Sequence, residues 1–173
     1  SIPEADETGK TFIENALIKA RHASEIADMP ALADDSGLVV DALAGSPGIY
    51  SARYAGLNAS DADNYRKLLT TLAECPIEQR TAHFHCTLVW LTHANDPDPL
   101  ICQGRWYGSI LDGPRGNNGF GYDPLFWIDH LQRSAAELSA SEKGMISHRG
   151  KAIQQLAKAL SRQPSLQGSL WHE

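Results

Sequence analysis

Asp34 and Asp35 stand between the apolar stretches 30–33 and 38–40 and are followed by Ser36 and Gly37. Two adjacent acids beside a backbone-permissive glycine are poor core material, and they are good material for a hard divalent cation such as Mg²⁺. The same run also reads as an ordinary acidic bend, since Asp, Ser and Gly are common turn residues. A second cluster, Gly119-Phe120-Gly121-Tyr122-Asp123-Pro124, sets two flat aromatic faces among glycines that let the backbone approach a ligand. A third, Ser147-His148-Arg149-Gly150, follows Lys143 by a few residues. Its His and Arg donate directionally to carbonyl or phosphate oxygens, and Lys143 is a point charge for phosphates. Taken singly, the aromatic loop is ordinary packing and the His-Arg pair an ordinary helix terminus. A nucleoside triphosphate needs all three at once: acids for the cation, cations for the phosphates, a platform and donors for the base. The three clusters are therefore expected to converge on one cleft. Gly9-Lys10-Thr11 is not a Walker-type phosphate loop, because the glycine required five residues before Gly9 is Glu4.

The elements that must position these residues follow from local signals. Thr11-Phe12-Ile13-Glu14 has the form of a capping box, and Ala16, Leu17, Ala20, Ala23, Ile26 and Ala27 continue a helical stripe that ends before Pro30. Asp34 to Gly37 reads as a turn between two short strands. The loop Gly45-Ser46-Pro47-Gly48 leads into 50–54, and Ser60 opens a second helix carrying Leu68, Leu69 and Leu72. Residues 81–91 alternate as a strand with one core face, and the turn Asn95-Asp96-Pro97-Asp98-Pro99 returns the chain through 100–110 as its antiparallel partner. His83 and His85 share a side; a metal pair is conceivable, but no third ligand is spaced nearby and a solvated strand face is preferred. A short strand over 122–127 and helices begun by Ser134 and Ser139 follow, while the tail 163–173 has no periodicity. The expected class is α/β: an elongated mixed β-sheet flanked by helices.

With 173 residues and 42% hydrophobic content, the chain suits one buried domain. A net charge of -6 argues against a broad grip on nucleic acid, though it leaves room for a small cationic pocket. No apolar run reaches membrane-spanning length and no leader is evident, so no membrane partner is expected. Cys75, Cys86 and Cys102 are odd in number and lack Cys-x-x-Cys spacing, as suits free thiols in a reducing cytoplasm.

Five segments in order carry a family resemblance: Thr11-Phe12-Ile13-Glu14-Asn15-Ala16, Ala33-Asp34-Asp35-Ser36-Gly37-Leu38, Pro47-Gly48-Ile49-Tyr50-Ser51-Ala52-Arg53, the glycine-aromatic loop 119–124, and Ser147-His148-Arg149-Gly150. The chain resembles the inosine/xanthosine triphosphate pyrophosphatase family. That resemblance implies a Mg²⁺-dependent homodimeric hydrolase converting non-standard purine triphosphates (ITP, dITP, XTP) to the monophosphate and pyrophosphate. It assigns Asp35 as general base and metal ligand, with Glu7 as the second metal carboxylate and Glu4 and Asp6 as its competitors. Ser36, Phe120, Gly121, Tyr122, Asp123, Lys143, His148 and Arg149 fall at substrate-binding positions. The family's opening strand and its Thr/Ser-Gly-Asn-x-x-Lys phosphate cradle have no counterpart in these residues, so the resemblance starts about one strand and one helix late. The alternative it leaves is a non-catalytic nucleotide-binding or dimer-forming paralogue without that cradle.

Overall fold

The computed structural model describes residues 2–162; the unassigned tail 163–173 lies outside the described residues. Helix α1 (Phe12–Ala27) starts at Thr11, whose hydroxyl accepts from the Glu14 amide while the Glu14 carboxylate accepts from the Thr11 amide. The expected capping box is thus formed, satisfying two orphan donors reciprocally. Ala16 and Ala20 are fully buried against Ala31, Val89 and Leu91. Their small side chains bring this helix close onto the sheet.

Strand β1 (Ala31–Val40) runs unbroken through the acidic segment and pairs residue for residue with β2 (Thr81–Leu91), from Ala31 opposite Leu91 to Val40 opposite Ala82. This corrects the expected turn between two short strands. Gly37 is no bend: a Cβ there would press on the Gly48 carbonyl oxygen and lie 2.7 Å from Ser51 Oγ. The glycine serves a close approach of the 3-10 turn Gly48–Arg53 to the strand. Because strand side chains alternate, Asp34 and Asp35 point to opposite faces.

Strand β3 (Leu100–Ile110) continues the sheet, followed by β4 (Phe126–Ile128) and β5 (Arg133–Ser134), in the order β1-β2-β3-β4-β5. Helices flank the sheet as expected, but every ladder among the described residues is antiparallel rather than mixed. Strands adjacent in sequence are neighbours here, and no crossover returns the chain to the starting end between them. The strand expected over 122–127 is shorter: Asp123–Leu125 is a 3-10 turn with Pro124 in it, and pairing begins only at Phe126. Ser134 caps a 3-10 turn, Ala135–Glu137, rather than an α-helix.

Both faces of β2 are covered, where one was expected. Phe84 packs with Leu38, Val40, Trp106 and Phe126, together with Leu68 of α2 (Asp61–Thr71) and Leu72 at the C-cap of that helix. Cys86, Leu88 and Cys102 meet Ala152 and Leu156 of α4 (His148–Leu160). On the other face His85 is buried, stacked on Phe12 with centroids 4.6 Å apart and its Nε2 2.9 Å from Thr87 Oγ1. The solvated-face expectation for His85 is therefore wrong. α4 sits on β3 at Gly104, where any Cβ would overlap the His148 carbonyl oxygen. Helix α3 (Ala140–Ile146) ends at Ser147, which also caps α4 by accepting from the Gly150 amide. That junction presents His148 and Arg149.

Candidate active site

One cleft of about 180 Å³ is lined by Ser36, Phe120, Gly121, Tyr122, Asp123, Lys143, His148 and Arg149. All eight residues expected at substrate-binding positions thus share one wall system. Gly119 and Gly121 adopt left-handed φ angles of 77° and 63°, conformations costly for other residues, and together they raise Phe120 out of the loop. Asp123 is buried; its Oδ2 accepts from the Phe120 amide at 2.9 Å and forms an ion pair with Lys143. The Tyr122 hydroxyl donates to the Ser51 carbonyl at 2.8 Å, tying the loop to the turn that follows β1. Phe120 is 61% exposed, with Lys143 Nζ 4.5 Å and Arg149 Cζ 5.9 Å from its ring centroid. An exposed ring faced by cations is a platform open to a second flat group.

His148 stacks on Phe84 with centroids 4.9 Å apart and planes 15° from parallel. Burial, reinforced by the charges of Arg149 and Lys143, pushes its pKa down to about 3, so the ring is neutral at physiological pH. Its Nδ1 is buried without a partner. Arg149 donates to Asp34 Oδ2 at 2.7 Å, and the Ser36 hydroxyl donates to the same oxygen at 3.2 Å. Burial is the largest single influence and opposes ionisation of Asp34, but the hydrogen bond and charge of Arg149, with Ser36 and Lys19, together outweigh it and hold the carboxyl below its ordinary range. Asp34 thus orients a cation rather than offering itself to a metal.

Asp35 lies on the opposite side of β1. Lys19 from α1 donates to Asp35 Oδ1 at 2.7 Å and reaches Glu7 Oε1 at 3.1 Å, while Arg53 donates to Glu7 Oε2 at 2.9 Å. Burial counts against the Glu7 carboxylate, yet its bonds from Arg53 and Lys19 hold its pKa low. Burial instead wins at Asp35: its pKa is raised, only partly countered by Lys19, with Glu7 and Asp34 adding to the rise. Asp35 Oδ2 is buried and unpartnered.

The expectation of one shared cleft needs correction. Glu7, Lys19 and Arg53 line a neighbouring cleft with Glu4 and Asp6, and Asp35 borders the first cleft only through Ser36. The two clefts share walls, since Ser51 and Ala52 of the 3-10 turn face one and Arg53 the other. Of the three candidates for the second acid, Glu7 alone is tied to Asp35 through Lys19. No group of three or more His, Cys, Asp or Glu side chains among the described residues is placed to hold a metal. Sequence reasoning missed Lys19 and Arg53. The signal available was their place within helix α1 and the 47–53 segment, where each reads as an ordinary surface cation.

The Ham1 family pattern matches residues 1–159. A dITP/XTP pyrophosphatase of Vibrio cholerae is 58% identical over 163 residues, covering 94% of this chain and 82% of that one. Its namesake in Escherichia coli K12 is 55% identical over 159 residues, covering 92% and 81%. Among solved structures, a HAM1 protein from Coxiella burnetii superposes with a TM-score of 0.90 at 52% identity, covering 94% of this chain and 82% of that one. The Staphylococcus aureus Ham1 protein gives 0.86 at 45% identity, with coverage of 92% and 81%. Matching along nearly its whole described length in sequence and in fold, the chain belongs to the Ham1 family.

Proposed function

We propose that this chain, working as one domain, hydrolyses non-standard purine nucleoside triphosphates (ITP, dITP, XTP) to the monophosphate and pyrophosphate, clearing them from the nucleotide pool. Support comes from the relatives named dITP/XTP pyrophosphatase at 55–58% identity. The observation that carries the reading is an aromatic, cation-rimmed cleft walled by Ser36, with the neighbouring Asp35 on the other face of β1 holding a buried, unpartnered oxygen.

Phe120 and Tyr122 with the loop backbone receive the base, and Ser36, Asp123, Lys143, His148 and Arg149 complete its surround. Donors from His148 and Arg149 favour a carbonyl at carbon 6 of the purine. An amino group there faces other donors and leaves them unpaired, which penalises adenine. Asp35 Oδ2 takes the proton of a water whose oxygen attacks the α-phosphorus; the bond from that phosphorus to the bridging oxygen breaks and pyrophosphate leaves. A base made more basic by burial suits this step. Lys19 and Arg53 face the phosphates, and Lys19 keeps Asp35 oriented.

Glu7 and Asp35 are the residues that would hold Mg²⁺. An oxygen-only pair, Glu7 and Asp35 bridged by Lys19, suits a cation that takes one or two carboxylates and completes its shell with water and substrate phosphates. When bound, the ion neutralises developing phosphate charge. By the same family reasoning the protein is a cytoplasmic homodimer; its three cysteines are free thiols, and no helix among the described residues is long and apolar enough to cross a membrane. The test is pyrophosphate release from ITP, dITP, XTP and ATP with and without Mg²⁺, alongside titration with IMP. Release from the first three but not ATP is expected. Equal binding of ITP and IMP with no release would leave a base pocket without catalysis and overturn the proposal.

A further inference from the structure

We propose that Asp61 is a positioning residue that fixes the base-binding loop, and with it Phe120, through a hydrogen bond from the Gly121 amide. The inference deepens the reading above and rests on it for its kinetic arm.

Asp61 opens α2, yet it has no part in capping that helix. Ser60 and Asp63 satisfy each other's amides reciprocally, which leaves the Asp61 carboxylate free for another task. Its Oδ2 accepts from Gly121 N at 2.6 Å, across sixty residues of sequence. The left-handed φ of Gly121 turns that amide toward α2. A Cβ built at Gly121 would meet nothing within 4 Å, so that side of the segment is open and packing there does not fix it.

α2 is itself locked to the opposite wall of the cleft. Buried Asn64 accepts from the Ala55 amide at 2.8 Å and donates to the Ala52 carbonyl at 3.1 Å. One helix therefore holds both sides of the cleft at a fixed spacing: the Ala52 side by Asn64 and the Phe120 side by Asp61. The loop's other ties close it on itself, between Phe120 and Asp123, or join the Tyr122 hydroxyl to the Ser51 carbonyl; the Asp61 bond is the one that joins Gly121 to α2. Without Asp61 the Phe120–Asp123 turn keeps its internal bonds but loses its tie to α2, so Phe120 is no longer held at a set spacing from the Ala52 side of the cleft. Asp35 sits on the far face of β1, so loss of this tether weakens binding and leaves the chemical step intact.

Two variants separate the bond from the charge. Asp61→Ala removes both, whereas Asp61→Asn removes the same charge at the helix start but keeps an accepting oxygen. Hydrogen exchange at the Gly121 amide and steady-state kinetics with ITP are measured for each. Asp61→Ala is expected to speed exchange at Gly121 and raise KM for ITP about three- to tenfold with kcat unchanged, the size of one charge-assisted hydrogen bond at a partly exposed site. Asp61→Asn is expected to restore most of both. Unchanged exchange and KM in Asp61→Ala would overturn the assignment, as would an Asp61→Asn variant as impaired as Asp61→Ala. If the unaltered protein releases no pyrophosphate from ITP, the functional reading fails, while the exchange data still decide the tether.

Discussion

Replacing Asp35 with Asn changes one charge in the acidic cluster and almost no volume, and its consequences for rate and stability should have opposite signs. Asp35 is 6% exposed, its Oδ1 is held by Lys19 at 2.7 Å, and its Oδ2 has no partner. As general base it contributes about 10²- to 10⁴-fold to the rate, so kcat for ITP should fall by that factor. Stability follows from the raised pKa: burial disfavours the ionised form more than Lys19 favours it, and the folded protein holds the Asp35 proton more tightly than the unfolded chain. The ionised side chain is thus a net cost to the fold at neutral pH. That cost is absent below the unfolded value of 3.8 and grows as pH rises through the higher folded value. Lys19 keeps Glu7 as a partner in the variant. Asp35→Asn is therefore expected to be the more stable protein at neutral pH, each 1 kcal/mol gained raising Tm by about 2–4 °C for a chain of this size. Thermal melts at neutral and acid pH beside pyrophosphate release give both readings, and the Tm advantage should vanish below the unfolded pKa. A rate within tenfold of the parent retires Asp35 as the base. A lower Tm at neutral pH means that the Lys19 pair outweighs burial, and the account of its raised pKa is then wrong.

Gly104→Ala should lift α4 from the sheet, since the new Cβ overlaps the His148 carbonyl oxygen and comes within 2.9 Å of Ala152 N; a loss of about 3 kcal/mol in urea unfolding is expected, and a neutral variant would refute the close-approach role. Tyr122→Phe removes the donor to the Ser51 carbonyl in a buried site and should cost about 1–2 kcal/mol by denaturation while raising KM. His85 is neutral in the fold, its pKa pushed down to about 4 by burial and by Arg105, against 6.5 unfolded. Stability from that neutral form is complete above 6.5 and is lost as pH falls toward the folded value. His85→Gln should therefore flatten the acid limb of the stability curve by about 3 kcal/mol, and equally steep limbs in both proteins would contradict this.

Residue types and local signals already contained much of this protein. The capping boxes at Thr11, Ser60 and Ser139 act over three residues, and each marks its helix start. Period-two alternation likewise reveals β2, the turn after it returns the chain as β3, and the residues able to hold a base and phosphates stand out by chemistry alone. What packing decided lies beyond that reach. The Asp34–Gly37 segment has turn composition but becomes strand, because β2 pairs with every residue of it and Gly37 answers to Gly48 and Ser51. Whether Asp34 or Asp35 faces the base cleft depends on which side of the sheet α4 and α1 occupy, a choice made by contacts more than a hundred residues apart for Asp34 and Arg149. Lys19 carries no mark that separates it from any helix-surface lysine; only the seating of α1 on the sheet through Ala16 and Ala20 delivers its ammonium to Asp35. Short-range hydrogen bonding and periodicity are written residue by residue, whereas the meeting of distant charges is a property of how the faces are buried.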